Sequence, residues 1–241
     1  MRTWQKRVRF TFGFAGALAL AACGSEAAVE APSEANGEIA EGELVIPVMG
    51  EEVRIIAFGD SLFAGYRLEE SEGYPERLEA ALRGRGINAR VIDAGLSGDT
   101  SAGGLDRIGF TLDAQSEAPD LFILELGGND LLRGISPEET RANFVGMLET
   151  LSERGIPVLI MGMRAPPNYG SEYQADFDRL YGELAAQYGA ALIPFWLEDI
   201  YEDQSLFQRD RIHPTAEGIE ELVASTIDEV ANALPDGDEA G

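Results

Sequence analysis

The sequence has one cysteine, one histidine and one lysine, and each scarcity excludes a kind of site. Cys23 alone cannot form an intramolecular disulfide, and together with His213 it offers too few ligands for a zinc centre. The single lysine, Lys6, lies near the amino terminus, and the pattern GxGxxG does not occur. A lysine-dependent phosphate loop and a dinucleotide fingerprint are therefore excluded, and we expect neither a cofactor nor a metal.

Basic residues as a whole are also scarce. The chain has 18 Lys and Arg against 43 Asp and Glu, for a formal net charge of -25 at pH 7. This charge repels a phosphate backbone, and the arginines form no basic stripe, so nucleic acid is not an expected partner. The acidic runs at 69–72 and 202–203 are interpreted as solvated surface rather than as metal ligands.

The amino terminus has the pattern of a targeting signal. Residues 1–22 join the positively charged MRTWQKRVR to the apolar FTFGFAGALALAA, which is too short to span a membrane comfortably. The following LAAC resembles the lipobox of bacterial lipoproteins, and this resemblance implies cleavage before Cys23 and lipidation of its thiol. The alternative is an ordinary secretory signal with a cysteine placed there by chance.

The composition divides the chain into four segments. We expect a lipoprotein signal peptide at 1–22, a lipidated Cys23 with a disordered acidic tether at 23–43, one globular domain at 44–234 and a flexible acidic tail at 235–241. The expected location is the bacterial cell envelope, where the domain faces the periplasm and the lipid on Cys23 holds it to the membrane. Gly24 is compatible with sorting to the outer membrane, which is the expected membrane, and the inner membrane is the alternative.

The domain alternates short apolar runs with longer amphipathic ones, a pattern typical of βα units and a parallel sheet. Five strands with helices between them predict a flavodoxin-like, doubly wound α/β/α sandwich of three layers, whose commonest small version has strand order 2-1-3-4-5. The predicted strands are 54–59, 89–94, 121–126, 157–163 and 191–195. The predicted helices are 74–84, 101–113, 137–154, 172–188 and 214–233.

This strand order brings three loops to one edge of the sheet. They are GDSLFAGY after the first strand, GLSGDTSAGG after the second and GGNDLLRG after the third. Ligands bind at the carboxyl edge of such sheets, so three loops rich in glycine and aspartate predict a site there. The alternative is that the glycine and aspartate residues only form ordinary turns after each strand.

Ser61, directly after the first strand, is the candidate nucleophile. A serine needs a base, and His213 is the one histidine available. Asp210 lies three residues earlier, where its carboxylate can hold one imidazole nitrogen while the other points at Ser61. Pro214 is expected in the first turn of the last helix, where it would fix the loop. Ser97 and Ser101 are weaker candidates, because neither ends a strand.

An attacking serine also needs donors for the developing oxyanion. The candidates are the backbone N–H groups of Ser61 and Gly98 and the side-chain amide of Asn129. A glycine at 98 lets a substrate approach the backbone closely, and asparagine is a neutral donor that does not titrate. The order of residues 95–98 lacks the GxSxG spacing, so the nucleophile elbow of α/β-hydrolases is absent.

These motifs resemble those of one enzyme family. GDSL at 59–62, the loop at Gly98, GGND at 127–130 and DRIH at 210–213 are similar to the four blocks of the SGNH (GDSL) hydrolases. The stretches GDSLFAGYR, SGDTSAGGL, LELGGNDLLRG and PPNYG resemble the branch of lysophospholipase L1, thioesterase I and arylesterase over roughly 54–232.

The resemblance implies the SGNH hydrolase fold and assigns roles to residues of this chain. Ser61 would be the nucleophile, His213 the general base and then acid, and Asp210 its orienting group. Ser61, Gly98 and Asn129 would stabilise the oxyanion. The expected reaction is hydrolysis of carboxylic esters or thioesters through an acyl-enzyme, with water as the second acceptor.

The substrate is less defined than the chemistry. We expect medium- to long-chain fatty-acyl esters or thioesters, held by the loop at 164–173 through Pro166 and Tyr169 together with Leu131. Leu132 and Phe63 are alternative wall residues. An O-acetyl-polysaccharide esterase and a catalytically silent SGNH domain that binds a ligand stay open as other functions.

Overall fold

The computed structural model describes residues 48 and 50–235, and within them a five-stranded, all-parallel sheet has the order β2-β1-β3-β4-β5. This confirms the predicted fold class and strand order. The strands are β1 (Val53–Gly59), β2 (Ala89–Gly95), β3 (Leu121–Glu125), β4 (Val158–Met161) and β5 (Ala191–Ile193).

Burial follows the position of each strand in the sheet. All five residues of β3 are buried, and so are the last five of β1, because central parallel strands are covered by helices on both faces. The outer strands β2 and β5 are only partly buried. Continuous apolar runs therefore identified the centre of the sheet.

Helices form the two outer layers. They are α1 (Tyr74–Gly84), α2 (Ser101–Asp113), α3 (Gly128–Arg133), α4 (Pro137–Glu153), α5 (Ser171–Tyr188), α6 (Glu198–Tyr201) and α7 (Ala216–Ala233). α1 packs against α7, while α4 packs against both α2 and α5. The short α3 and α6 were not predicted, and α3 lies inside the GGNDLLRG loop. In the described part of the chain, no helix is both long and apolar enough to cross a membrane.

The start of α7 differs from the prediction. Pro214 was expected in its first turn, but the helix begins at Ala216 after Thr215, whose hydroxyl accepts the N–H of Gly218. Pro214 instead pairs with Phe207 in an isolated antiparallel bridge. The proline therefore closes the loop that carries His213 before the helix starts.

The predicted terminal segments lie outside the described residues. These are the signal peptide at 1–22, Cys23 with the tether to residue 43, and residues 236–241 of the tail. The domain boundaries at 44 and 234 likewise stay predictions.

Candidate active site

The loop after β1, residues 60–66, carries Ser61 and is called the nucleophile loop. It lies across the carboxyl ends of β1 and β2. The last residues of these strands, Gly59 and Gly95, pair in register. A Cβ on Gly95 would meet the backbone nitrogen of Ala64, so the turn after β1 lies directly on the end of β2. This close approach places Ser61 above the sheet edge, where it is 8% exposed.

The structure brings together the three residues predicted for the nucleophile, base and acid. Ser61 Oγ lies 2.9 Å from His213 Nε2, and His213 Nδ1 lies 3.0 Å from Asp210 Oδ2. The other carboxyl oxygen of Asp210 accepts the backbone N–H groups of Ile212 and His213, both at 3.1 Å. The carboxylate is therefore oriented by the same turn that carries the histidine.

Hydrogen bonds keep Asp210 ionised. Burial by itself would raise the pKa of Asp210, but the N–H groups of His213 and Ile212 and the imidazole itself lower it to about 2. Asp210 is thus an anion throughout the neutral range. An anion on Nδ1 favours the tautomer in which Nε2 is free to accept the proton of Ser61.

His213 lies in a loop at 207–214, called the histidine loop. Two residues that the sequence analysis did not identify, Tyr66 and Gln208, hold it in place. The Tyr66 ring lies 4.2 Å from the His213 ring, centroid to centroid. The Gln208 amide donates to the carbonyls of Tyr66, at 2.8 Å, and Pro214, at 2.9 Å, while the Gln208 N–H donates to the carbonyl of His213 at 2.7 Å. Gln208 therefore fastens the histidine loop to the nucleophile loop.

The structure separates Ser61 from the other serine candidates. Ser97 is exposed, and Ser101 is fully buried with its hydroxyl bonded to the Asp130 carboxylate. Of the three, Ser61 alone has the histidine within hydrogen-bond distance.

The predicted oxyanion donors lie on three neighbouring loops. Among the described residues, the N–H groups of Ser61 and Gly98 have no hydrogen-bond acceptor. The Asn129 amide donates one hydrogen to Asp60 Oδ2 at 2.8 Å and keeps a second for a ligand. Gly98 adopts the left-handed conformation that favours glycine, with φ of +84°. Ser61 and Asn129 line the cavity described below, and Gly98 lies in the adjacent loop outside its lining.

The sequence analysis missed two buried carboxyl groups near Ser61, those of Asp60 and Glu125. Burial raises the pKa of Asp60 to about 6, against hydrogen bonds from the Leu62 N–H and the Asn129 amide that lower it. Burial, followed by the charge of Asp60, raises the pKa of Glu125 well above its usual range. The Glu125 carboxyl accepts the Asp60 N–H at 3.3 Å. A single charged residue within the apolar run LFILEL was the signal for Glu125.

Glu125 should make the stability of the domain depend on pH. A carboxyl whose pKa is raised by folding lowers the free energy of unfolding as pH rises from its unfolded pKa to its folded pKa, because over that range the unfolded state releases a proton that the native state keeps. Glu125→Gln imitates the neutral acid and does not titrate. We expect its melting temperature to exceed that of the wild type by several degrees at about pH 8, and by much less at about pH 5.

Thermal unfolding at the two pH values measures this difference, with the exposed Glu153→Gln as the matched control. A melting-temperature difference for Glu125→Gln that stays constant between the two pH values would show that folding does not raise the pKa of Glu125.

A cavity of about 350 Å³ opens beside Ser61. All three predicted wall residues, Leu131, Pro166 and Tyr169, line it, and so does the alternative Leu132. Phe63 instead lies fully buried in the core, stacked on Tyr74 at 5.1 Å, and is not a wall residue.

The loop at 164–173, called the wall loop, is hydrogen-bonded to the end of α3. The Tyr169 hydroxyl donates to the Leu131 carbonyl and the Tyr173 hydroxyl donates to the Ile135 carbonyl, each at 2.6 Å. The polar tips of these rings are therefore used for attachment, and the ring face of Tyr169 is left for a ligand.

Exposed apolar side chains lie at the mouth of the cavity, beside the exposed Arg164, Gln204 and Arg211. Leu132 is 60% exposed, Tyr201 47% and Ile212 39%, and all three line the cavity. Large exposed apolar side chains gathered at one opening indicate a surface that an apolar ligand covers. In the described part of the chain, no group of three or more His, Cys, Asp or Glu side chains is placed to hold a metal ion.

The sequence of this chain is similar to those of several known proteins. The model of the GDSL-like Lipase/Acylhydrolase family matches residues 57–220. Esterase TesA of Pseudomonas aeruginosa is 42% identical over 160 residues, which cover 66% of this chain and 79% of that protein. Thioesterase 1/protease 1/lysophospholipase L1 of Escherichia coli K12 is 36% identical over 160 residues, 66% of this chain and 74% of that protein.

A solved structure extends the match to the whole length of a relative's chain. The crystal structure of AlinE4, an SGNH-hydrolase family esterase, is 59% identical and superposes with a TM-score of 0.66. The alignment covers 78% of this chain and 100% of that chain.

Proposed function

Since the chain belongs to the GDSL-like lipase and acylhydrolase family, we propose that Ser61, His213 and Asp210 are the catalytic residues of its ester hydrolysis. The protein is a serine esterase of the TesA and thioesterase I type, a carboxylic ester hydrolase. The observation that supports these roles is the continuous hydrogen-bonded path from Ser61 Oγ through both imidazole nitrogens to Asp210.

The reaction proceeds in two steps. His213 Nε2 takes the proton of Ser61 as Oγ attacks the acyl carbon, and then gives that proton to the departing alcohol or thiol. Water, activated by the same nitrogen, attacks the acyl-enzyme and releases the acid. Asp210 stays ionised and stabilises the imidazolium that forms in both steps.

The oxyanion of each tetrahedral intermediate is stabilised by three donors. These are the backbone N–H groups of Ser61 and Gly98 and the free amide hydrogen of Asn129. Asp60 fixes the Asn129 amide by accepting its other hydrogen. Each donor of this kind contributes about 10²- to 10³-fold to kcat.

The acyl group is a medium- or long-chain fatty acid. The cavity beside Ser61 is walled by Leu131, Pro166 and the ring of Tyr169, and the exposed Leu132 and Ile212 continue the apolar surface at its mouth. A chain longer than the cavity would cover these residues and remove their surface from water. An acetyl group would leave this surface bare.

The acyl preference is tested with nitrophenyl esters from acetate to palmitate, using residues 24–241 as wild type and as Ser61→Ala. We expect an optimum at medium or long chains, and a loss of about tenfold in kcat/KM at that optimum in Tyr169→Ala with Pro166→Ala. Tyr188→Phe, in a half-buried tyrosine away from the site, is the control. An acetate-only optimum would favour polysaccharide deacetylation, and an unchanged chain-length profile in the double variant would exclude this loop as the pocket.

The protein acts from the cell envelope. The LAAC sequence supports lipidation of Cys23, and the acidic residues 24–43 between the anchor and the domain support a tether. Incorporation of labelled palmitate that Cys23→Ser abolishes would establish the anchor, whereas equal labelling of both proteins would exclude it.

A further inference from the structure

The loop at 96–100, between β2 and α2, is called the Gly98 loop. A side chain joins it to the end of β1, next to the nucleophile loop. Arg107, on α2, donates from Nε to Asp99 Oδ2 at 2.7 Å and from Nη2 to the Gly59 carbonyl at 2.9 Å. Its guanidinium lies 3.7 Å from the ring centre of Phe58, so its position is also fixed by stacking. Arg107 thus holds the residue after Gly98 against the end of the strand that carries Ser61.

A second arginine joins the Gly98 loop to the Asn129 helix. Arg133 is the last residue of α3, whose second residue is Asn129, and its Nη2 donates to the Gly98 carbonyl at 2.6 Å. Most arginines of the described residues pair with a carboxylate, but Arg133 has none within 4.0 Å there. The interaction that Arg133 makes is therefore with the backbone of the Gly98 loop.

The Gly98 loop needs such support from outside. Glycine has the largest conformational freedom of any residue, and Gly98 is held at φ of +84° with no acceptor for its own N–H among the described residues. The turn bond from the Asp99 N–H to the Leu96 carbonyl, at 3.0 Å, closes the loop. Its two ends are tied to neighbouring elements, since the Leu96 N–H donates to the Gly59 carbonyl at 3.0 Å and the Ser101 N–H donates to Asp130 Oδ2 at 2.8 Å. Arg107 and Arg133 add ties between these two ends, at Asp99 and at the Gly98 carbonyl itself.

We propose that Arg107 and Arg133 are positioning residues that hold the Gly98 N–H in the oxyanion hole. Arg107 fixes the Gly98 loop relative to Ser61, and Arg133 fixes it relative to Asn129. The Asn129 amide donates to Asp60, the residue before Ser61. Hydrogen bonds therefore connect each of the three loops that carry the proposed donors to the other two. The inference rests on the proposed function, since it gives these arginines a role in the same reaction. Donor placement matters because a displacement of about 1 Å costs on the order of 10²-fold in rate.

Arg133 is the better residue to test, because it is exposed and its loss should leave the fold intact. We expect Arg133→Ala to lower kcat about tenfold with KM and melting temperature nearly unchanged. Arg133→Lys keeps a donor and should recover most of the rate. Arg90→Ala, which removes an exposed arginine near the amino end of β2, is the control for net charge.

A double variant separates positioning from other roles. Gly98→Ala forces a side chain into a backbone conformation that favours glycine, and so should displace the donor by itself. If Arg133 acts through Gly98, adding Arg133→Ala to Gly98→Ala lowers kcat little further. Two losses that multiply in full, or an effect of Arg133→Ala confined to KM, would overturn the proposal.

The same variants distinguish this inference from the proposed function. An active wild type with an Arg133→Ala variant of equal kcat contradicts only the positioning role. A wild type that is inactive on every ester contradicts the proposed function itself.

Discussion

Replacement of Ser61 by alanine is expected to lower kcat for nitrophenyl ester hydrolysis by about 10⁶-fold. Ser61 Oγ is the atom that faces His213 Nε2 at 2.9 Å, so its removal leaves the base without a nucleophile to activate. A slow residual reaction should persist, because the oxyanion donors and the cavity can still act on a bound ester attacked by water.

The fold should tolerate this change. Ser61 is small, and the hydrogen bond of its hydroxyl is to His213, so alanine leaves no buried polar group of the core unpaired. Melting temperature and circular dichroism of the variant should match those of the wild type. Ser97→Ala, on an exposed serine of the next loop, is the matched control and should retain full activity. Equal activity of wild type and Ser61→Ala would contradict the mechanism.

Replacement of His213 by alanine should be nearly as damaging, with a loss of about 10⁴- to 10⁶-fold in kcat. His213 is the single histidine of the chain, so no other imidazole can substitute as base. Because members of a triad act as a unit, the double variant Ser61→Ala with His213→Ala should be hardly slower than either single variant.

Asp210 provides a graded comparison. Asp210→Asn keeps the size of the side chain but presents an amide to Nδ1, which favours the wrong tautomer and should lower kcat about 10⁴-fold.

Added imidazole should restore part of the activity of His213→Ala and none of that of Ser61→Ala. Rates measured with saturating ester check this order, and a fully active His213→Ala would exclude imidazole as the base.

The sequence predicted the sheet well because its central strands are short apolar runs in which β3 has a single charged residue, Glu125. β3 lies within the predicted 121–126, and β1 begins one residue before the predicted 54–59. The predicted strand at 157–163 was too long, since β4 ends at Met161, although the Gly162 N–H still donates to the Ile193 carbonyl at 2.8 Å. Hydrogen bonding to the neighbouring strand ends gradually after Met161, so no change in residue type marks the last residue of β4.

The short helices were missed for a different reason. α3 has six residues and α6 has four, too few for a helical period to emerge from apolar spacing. Gly127 and Gly128 also favour a loop, and Gly127 indeed has φ of +108° before α3 begins. In the structure α3 is joined to the wall loop by the hydrogen bond from the Tyr169 hydroxyl to the Leu131 carbonyl.

The candidate site was predictable where one residue type was rare or stood at a strand end. His213 is unique, and Ser61 and Asn129 follow the buried strands β1 and β3. Residues that act by reaching across loops were not predictable. Gln208 meets Tyr66 across 142 positions of the sequence and Arg133 meets Gly98 across 35, and no local pattern encodes such pairs.

The central claim is that Ser61 becomes acylated, and covalent labelling tests it most directly. A protein of residues 24–241 is treated with a p-nitrophenyl alkylphosphonate. The released nitrophenol is quantified, and the protein is digested for mass spectrometry. We predict one nitrophenol released per protein molecule, the phosphonate mass on the peptide that carries Ser61, and no reaction in Ser61→Ala. Equal labelling of Ser61→Ala, or a label on any other residue of the wild type, would contradict the account.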